Sequence, residues 1–219
     1  MPNRCLIAAM LAAWPLLAQP KVGMVEIYGL RKVSHEKVLN AMSAPSGKQA
    51  PTPFAAQPTD TYFTDVRNLF FDGEAIQMLH QPVAHSDGDS VVFFRRSDVI
   101  VTGDVFDMVS YPVIDAQRGG SLKGLVDAAN RIVDLAIVRD WQEGGTMLIP
   151  GHGRIADQAD MVEYRDMLTI VRDRVQDLIK KGMTLAQVKA ARPTLDYDGR
   201  YGSPDAFIEA AYRVLSKRP

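Results

Sequence analysis

Three short polar stretches, each placed where a predicted β-strand ends, constrain the fold of this chain more than any other feature. They lie at 84–89 (AHSDGD), 102–104 (TGD) and 150–153 (PGHG). Strand ends are where an α/β sandwich builds a metal site, and imidazole and carboxylate groups are ligands that zinc accepts. His85, Asp104 and His152 are therefore the candidate metal ligands.

The strands that carry these stretches are predicted from apolar runs and turn residues. Residues 69–79 are expected to form a hairpin, because Asp72-Gly73 supplies the positive φ angles of a two-residue turn. Residues 90–94 and 98–102 are expected to form a second strand pair. Residues 146–149 are expected to form a short buried strand, and His152 follows shortly after its end.

The last third of the chain has helical periodicity. Ser121 is expected to cap a helix that runs to about Val138, and Asp160 to cap a helix that runs to Lys181 and closes at Gly182. Strands come first as hairpins and helices follow, and no G-x-G-x-x-G sequence is present. These features predict an α/β sandwich and not a Rossmann sheet.

In this order, and each after a strand, the three stretches resemble the second half of the metallo-β-lactamase-fold metallo-hydrolases. The sequences YPVID at 111–115 and GGS at 119–121 add to the likeness, which covers roughly residues 33–219. The resemblance implies a partial αββα sandwich, mainly its second half, with C-terminal helices. It also implies that His85 binds a first zinc ion, Asp104 bridges two zinc ions, and His152 binds the second.

The first metal motif of that family, H-x-H-x-D-H, is absent from this sequence. A complete two-zinc site of the family takes five histidines, whereas this chain has four: His35, His80, His85 and His152. His35 and His80 match no ligand position and are interpreted as structural or surface residues. Two or three ligands bind zinc more weakly than a closed set of four. We therefore expect an N-terminally truncated relative that binds one or two zinc ions weakly or not at all.

Two further carboxylates lie in the stretch that contains His85. Asp87 and Asp89 are expected to shape the turn by accepting hydrogen bonds from backbone N–H groups. The alternative is that they orient a metal ligand by accepting a hydrogen bond from it.

The N-terminal residues 1–32 form an atypical apolar segment ahead of the incomplete domain predicted at 33–219. Residues 1–4 are basic and residues 5–18 are almost continuously apolar, as in a secretory signal peptide. An apolar first element packed on the core and a misassigned start are the alternatives. The segment is too short for a stable membrane span. A periplasmic or secreted location is therefore expected, with the cytoplasm as the alternative.

Composition excludes some partners and the family likeness suggests others. The 25 Lys and Arg nearly balance 26 Asp and Glu, so nucleic acid is not an expected partner, and a single cysteine excludes an internal disulfide. The predicted function is a zinc-dependent hydrolase of an unknown small-molecule substrate, impaired by the missing motif. The alternative is a non-catalytic remnant or interaction domain. A sheet face that includes Leu79, Val91, Phe93 and Ile100 is expected to lack cover and to promote self-association.

Overall fold

The computed structural model describes residues 64–140 and 144–216, and within them five strands form one mixed sheet. The strands lie side by side in chain order, β1 to β4 antiparallel and β5 parallel to β4. The apolar segment at 1–32 and the first part of the domain predicted at 33–219 lie outside the described residues. The strands are β1 (Val66–Phe71), β2 (Glu74–His80), β3 (Ser90–Phe94), β4 (Val99–Asp107) and β5 (Met147–His152).

Both predicted strand pairs are confirmed. Asp72 and Gly73 have φ angles of 49° and 77°, as the two-residue turn between β1 and β2 requires. β4 is longer than predicted and continues to Asp107, because Val105 and Phe106 are fully buried and keep the strand in the core.

The helix that follows the first four strands, α1 (Leu122–Leu135), begins where the sequence predicted. Ser121 Oγ accepts a hydrogen bond from Gly124 N at 2.9 Å, which is the expected cap. The helix ends at Leu135 and not near Val138, because the backbone N–H and C=O groups of Ile137 form hydrogen bonds with Thr146. Ile137 N donates to Thr146 Oγ1 at 2.7 Å, and Thr146 N donates to Ile137 O at 3.1 Å.

The remaining helices fill the C-terminal part of the chain. The cap of α2 is Asp157 and not Asp160 as predicted; Asp160 is the third residue of a reciprocal capping box with Asp157. None of the helices formed by the described residues combines the length and the apolarity that crossing a membrane requires. They are α2 (Gln158–Lys180), α3 (Leu185–Ala190), α4 (Asp198–Tyr201) and α5 (Asp205–Ser216).

One face of the sheet is covered by helices. Leu79, Val91 and Ile100 are almost fully buried in a single core, together with residues of α1 and α2 such as Leu125 and Leu168. The prediction that this face lacks cover is therefore wrong for these three residues, and Phe93 is partly buried against the same core. Alternation along the strands points this set toward the helices.

The opposite face of the sheet also carries exposed apolar side chains. Strand register places Met147 beside Val99 and Ile149 beside Val101, and both β5 residues are exposed. In the range 146–149 that was predicted as a short buried strand, Thr146 and Leu148 are buried, whereas Met147 and Ile149 are exposed, so the strand is buried on one face only. Among the five described strands β5 lies at an edge, and an edge strand is packed on fewer sides.

Candidate metal centre

Two of the three predicted ligands lie on the adjacent parallel strands β4 and β5. Asp104 lies inside β4, three residues before its end, and not at the strand end as predicted, because β4 continues to Asp107. The parallel register pairs Gly103 with Pro150, which brings the sequence-distant Asp104 and His152 together. His152 Nε2 lies 3.7 Å from Asp104 Oδ1. A Cβ atom at Gly151 would lie 2.7 Å from that same oxygen, so the missing side chain leaves room for the carboxylate.

The Asp104–His152 pair is open to solvent. The side chain of His152 is 65% exposed and that of Asp104 is 55% exposed. An exposed pair of this kind contributes little to folding, because water screens the attraction between the two groups. The pair is therefore available to bind a ligand.

His85 lies in the loop between β2 and β3, where Asp89 contacts its ring. His85 Nδ1 is 3.3 Å from Asp89 Oδ1. The same carboxylate accepts hydrogen bonds from Ser86 N at 2.7 Å and from Ser86 Oγ at 3.1 Å. Asp89 thus shapes the turn, as expected, and also contacts a predicted metal ligand, which was the alternative interpretation.

The backbone of His85 is held by the segment between β4 and α1. Asp115 N donates to His85 O at 2.9 Å. A Cβ atom at Gly120 would overlap His85 O and would lie 2.8 Å from His85 C. Sequence reasoning registered the two glycines at 119 and 120 only as part of the family likeness and missed this packing requirement.

Nearby carboxylates raise the pKa of His85. The hydrogen bond to Asp89 is the largest cause, partial burial opposes it, and the negative charges of Asp89, Asp104 and Asp115 also raise the pKa. Asp104 is thus within electrostatic reach of the imidazole. His85 nevertheless contacts Asp89, whereas Asp104 contacts His152.

His80 is a structural residue, in agreement with its interpretation from the sequence. It is buried, and its Nε2 lies 2.7 Å from the backbone oxygen of Asp87. Arg131 Nη1 donates to the backbone oxygen of His80 at 3.1 Å. His35 lies outside the described residues.

The donor chemistry suits zinc, but the ligand set is open. Among residues 64–140 and 144–216, no group of three or more His, Cys, Asp or Glu side chains is arranged to hold a metal ion. Of the three predicted ligands, only Asp104 and His152 contact each other, and both are exposed enough to change rotamer at low cost. The three-ligand site of His85, Asp104 and His152 therefore stays a prediction.

No profile of a protein family matches the sequence, and no curated protein is significantly similar to it. Solved structures do share its fold. The stereoselective inverting sec-alkylsulfatase Pisa1 from Pseudomonas sp. superimposes with a TM-score of 0.55 at 16% identity, over 72% of this chain and 26% of its own. This chain therefore spans about a quarter of the length of that protein.

Two metallo-β-lactamases overlap less closely. The BLEG-1 B3 enzyme has 26% identity and a TM-score of 0.44, over 60% of this chain and 57% of its own. The enzyme from Pontibacter korlensis has 16% identity and a TM-score of 0.40, over 59% and 54%. The described residues form a mixed α/β fold with C-terminal helices, as predicted, and this fold is shared with part of the sec-alkylsulfatase.

Proposed function

We propose that this chain is a metal-dependent hydrolase domain in which His85, Asp104 and His152 supply the ligands of a weak zinc site. The observation that carries the proposal is the 3.7 Å approach of His152 Nε2 to Asp104 Oδ1 across two parallel strands. The influence of Asp104 on the pKa of His85 supports the third ligand. The substrate would be a small molecule with a hydrolysable ester, thioester or lactam bond.

Each residue has a separate part in this proposal. Asp104 has two carboxylate oxygens and can contact two cations at once, while His85 and His152 each offer one imidazole nitrogen. Zinc would supply Lewis-acid polarisation of the bond to be hydrolysed. The exposure of Asp104 and His152 leaves the centre accessible to a substrate.

The small number of ligands sets the expected strength of binding. Structural zinc sites use four protein ligands and catalytic sites usually three. The described residues provide a close pair and, in the loop between β2 and β3, the imidazole of His85 as a third ligand. We therefore expect zinc binding to be weak and turnover to be slow.

A zinc titration of the metal-free full chain, followed by calorimetry, tests this function. We expect binding that His152→Ala and Asp104→Asn each reduce at least tenfold, because each removes a ligand. Asp127→Asn is the matched control, since Asp127 is also exposed and pairs with Lys123. Turnover of sulfate-ester, thioester and lactam substrates is measured in parallel. Absence of zinc binding, or equal binding by all variants, would contradict the proposal.

A non-catalytic interaction domain is the second candidate, and the exposed apolar face of the sheet favours it. Ile149 on β5 is 39% exposed, and Leu69 and Met147 are also exposed on this face. Sedimentation should then show zinc-independent self-association that Ile149→Lys abolishes. Ile170→Lys is the matched control, because Ile170 is 38% exposed on the helical side of the molecule. A monomer at all concentrations would exclude this candidate.

A further inference from the structure

We propose that Asp89 is a positioning residue that fixes the tautomer of His85 and so leaves Nε2 as the electron-pair donor of the ring. As a statement about metal binding, this inference rests on the proposed function. As a statement about the ring itself, it stands on the geometry of the loop between β2 and β3.

The contact between the two side chains determines which ring nitrogen carries the proton. A carboxylate accepts hydrogen bonds and does not donate them, so the nitrogen that faces it must carry the hydrogen. His85 Nδ1 is the nitrogen within 3.3 Å of Asp89 Oδ1. In a neutral imidazole only one nitrogen is protonated, and Nε2 therefore keeps its lone pair. A lone pair on Nε2 is what a metal ion or a proton donor would bind.

The carboxylate of Asp89 is itself anchored, so it can orient the ring. Ser86 N donates to Asp89 Oδ2 at 2.7 Å, and Ser86 Oγ donates to Asp89 Oδ1 at 3.1 Å. The backbone of Asp89 is tied to the start of the loop, because Gln81 N donates to Asp89 O at 2.8 Å. Asp89 is also buried. These bonds hold the acceptor in place whichever way the imidazole turns.

The backbone of His85 is fixed by contacts that do not involve Asp89. Asp115 N donates to His85 O, and Gly120 packs directly against that same oxygen. Loss of the Asp89 charge should therefore free the ring while the main chain stays in place. This separation between backbone and ring makes the role of Asp89 measurable.

Nitrogen-15 NMR of the histidine rings in the metal-free full chain tests the inference. At alkaline pH, where the ring is neutral, we expect His85 to carry its proton on Nδ1; the spectrum of His85→Gln assigns the signal. In Asp89→Asn we expect a shift toward the Nε2-protonated form, which predominates in unconstrained imidazole. Asp87→Asn is the matched control, since it removes the same charge from the same loop and should leave the tautomer unchanged.

Two outcomes would overturn the inference. One is a wild-type ring protonated on Nε2, and this measurement decides the matter even if Asp89→Asn does not fold. The other is an equal change of tautomer in Asp87→Asn and Asp89→Asn, which would make the effect one of general charge.

The zinc titration separates this inference from the proposed function. If the chain binds zinc, Asp89→Asn should weaken binding roughly 10- to 100-fold, as is usual for a residue that supports a ligand, and Asp87→Asn should not. If the chain binds no zinc, the proposed function fails while the tautomer measurement still decides the role of Asp89. Unchanged zinc affinity in Asp89→Asn would contradict a role of Asp89 in metal binding.

Discussion

The two sides of the candidate site are built in opposite ways. His85 is fixed on one side by a carboxylate bonded to its ring and by a backbone hydrogen bond from Asp115. On the other side, Asp104 and His152 contact each other at 3.7 Å and are more than half exposed. The His85 loop is thus part of the folded framework, whereas the strand-end pair lies open at its edge.

This difference separates residues that contribute to stability from residues that contribute little to it. Buried polar atoms are hydrogen-bonded inside the protein, and His85 Nδ1 and the backbone oxygen of His85 follow that rule. An exposed carboxylate and imidazole add little to stability, because water screens the attraction between them. We therefore expect mutations near His85 to lower the free energy of unfolding more than mutations of Asp104 or His152.

The largest effect is expected from Gly120→Ala, which pushes a methyl group into the backbone of the His85 loop. The added Cβ would overlap His85 O and would lie 3.0 Å from Asp115 N, and backbone atoms cannot move aside cheaply. The free energy of unfolding should fall by about 3 kcal/mol in urea denaturation.

Gly199→Ala is the control for this substitution, because no atom lies within 4 Å of its added Cβ and the residue is within helix α4. Its unfolding free energy should change by less than about 1 kcal/mol, in the stabilising direction. Equal losses in the two variants would mean that the close approach at Gly120 is not tight.

The next largest effect is expected from Tyr111→Phe, in the segment that follows β4. Tyr111 Oη donates to Asp198 Oδ1 at 2.9 Å and lies 3.2 Å from Thr194 O, which ties the segment after β4 to the C-terminal helices. Tyr111→Phe should lower the free energy of unfolding by about 1–2 kcal/mol while the ring still stacks on Phe207.

Tyr212→Phe provides the comparison, since Tyr212 Oη makes a single hydrogen bond to Met183 O. Chemical denaturation should show a loss of about 0.5–1 kcal/mol for this variant. If Tyr111→Phe costs no more than Tyr212→Phe, the tie to the C-terminal helices is weaker than its geometry indicates.

A smaller effect is expected in the pH dependence of stability, on the fixed side. The pKa of His85 is raised by its hydrogen bond to Asp89, so the protonated ring stabilises the folded state. This contribution is complete below the unfolded value of about 6.5 and is lost as pH rises through the folded pKa. Wild type should therefore lose stability relative to His85→Gln over that interval. A relative gain with rising pH would contradict the assignment.

The smallest effect is expected on the open side. His152→Ala should change the free energy of unfolding by less than about 0.5 kcal/mol, because the side chain is largely in solvent. The same variant should remove zinc binding if the proposed function is correct. Thermal unfolding of metal-free protein checks the first statement, and a loss above about 1 kcal/mol would show that the strand-end pair belongs to the framework after all.

Much of the local structure was predictable from the sequence. The turn at Asp72-Gly73 and the cap at Ser121 depend on residues within a few positions of each other, and both are confirmed. The helix cap at 157–160 was placed three residues late, because Asp157 and Asp160 both belong to one reciprocal capping box.

The candidate site was predictable only in outline. The sequence placed His85, Asp104 and His152 at strand ends, but only His152 ends a strand, since Asp104 lies inside β4 and His85 in the loop before β3. The structure brings Asp104 and His152 within 3.7 Å. The sequence could not show that the Asp89 carboxylate contacts the ring of His85, since a carboxylate in a turn can accept hydrogen bonds from several different groups. The tight packing of Gly120 was equally hidden, because it involves residues 35 positions apart (85 and 120).

The sequence by itself determined where the five described strands and the main helices lie along the chain. Only the tertiary structure decided which sheet face the helices cover: Leu79, Val91 and Ile100 are buried, while Met147 and Ile149 are exposed. The physical reason is that turns and caps are set by neighbours along the chain. Burial is set instead by the layer that packs on each face, and apolar residues occur on both faces of this sheet.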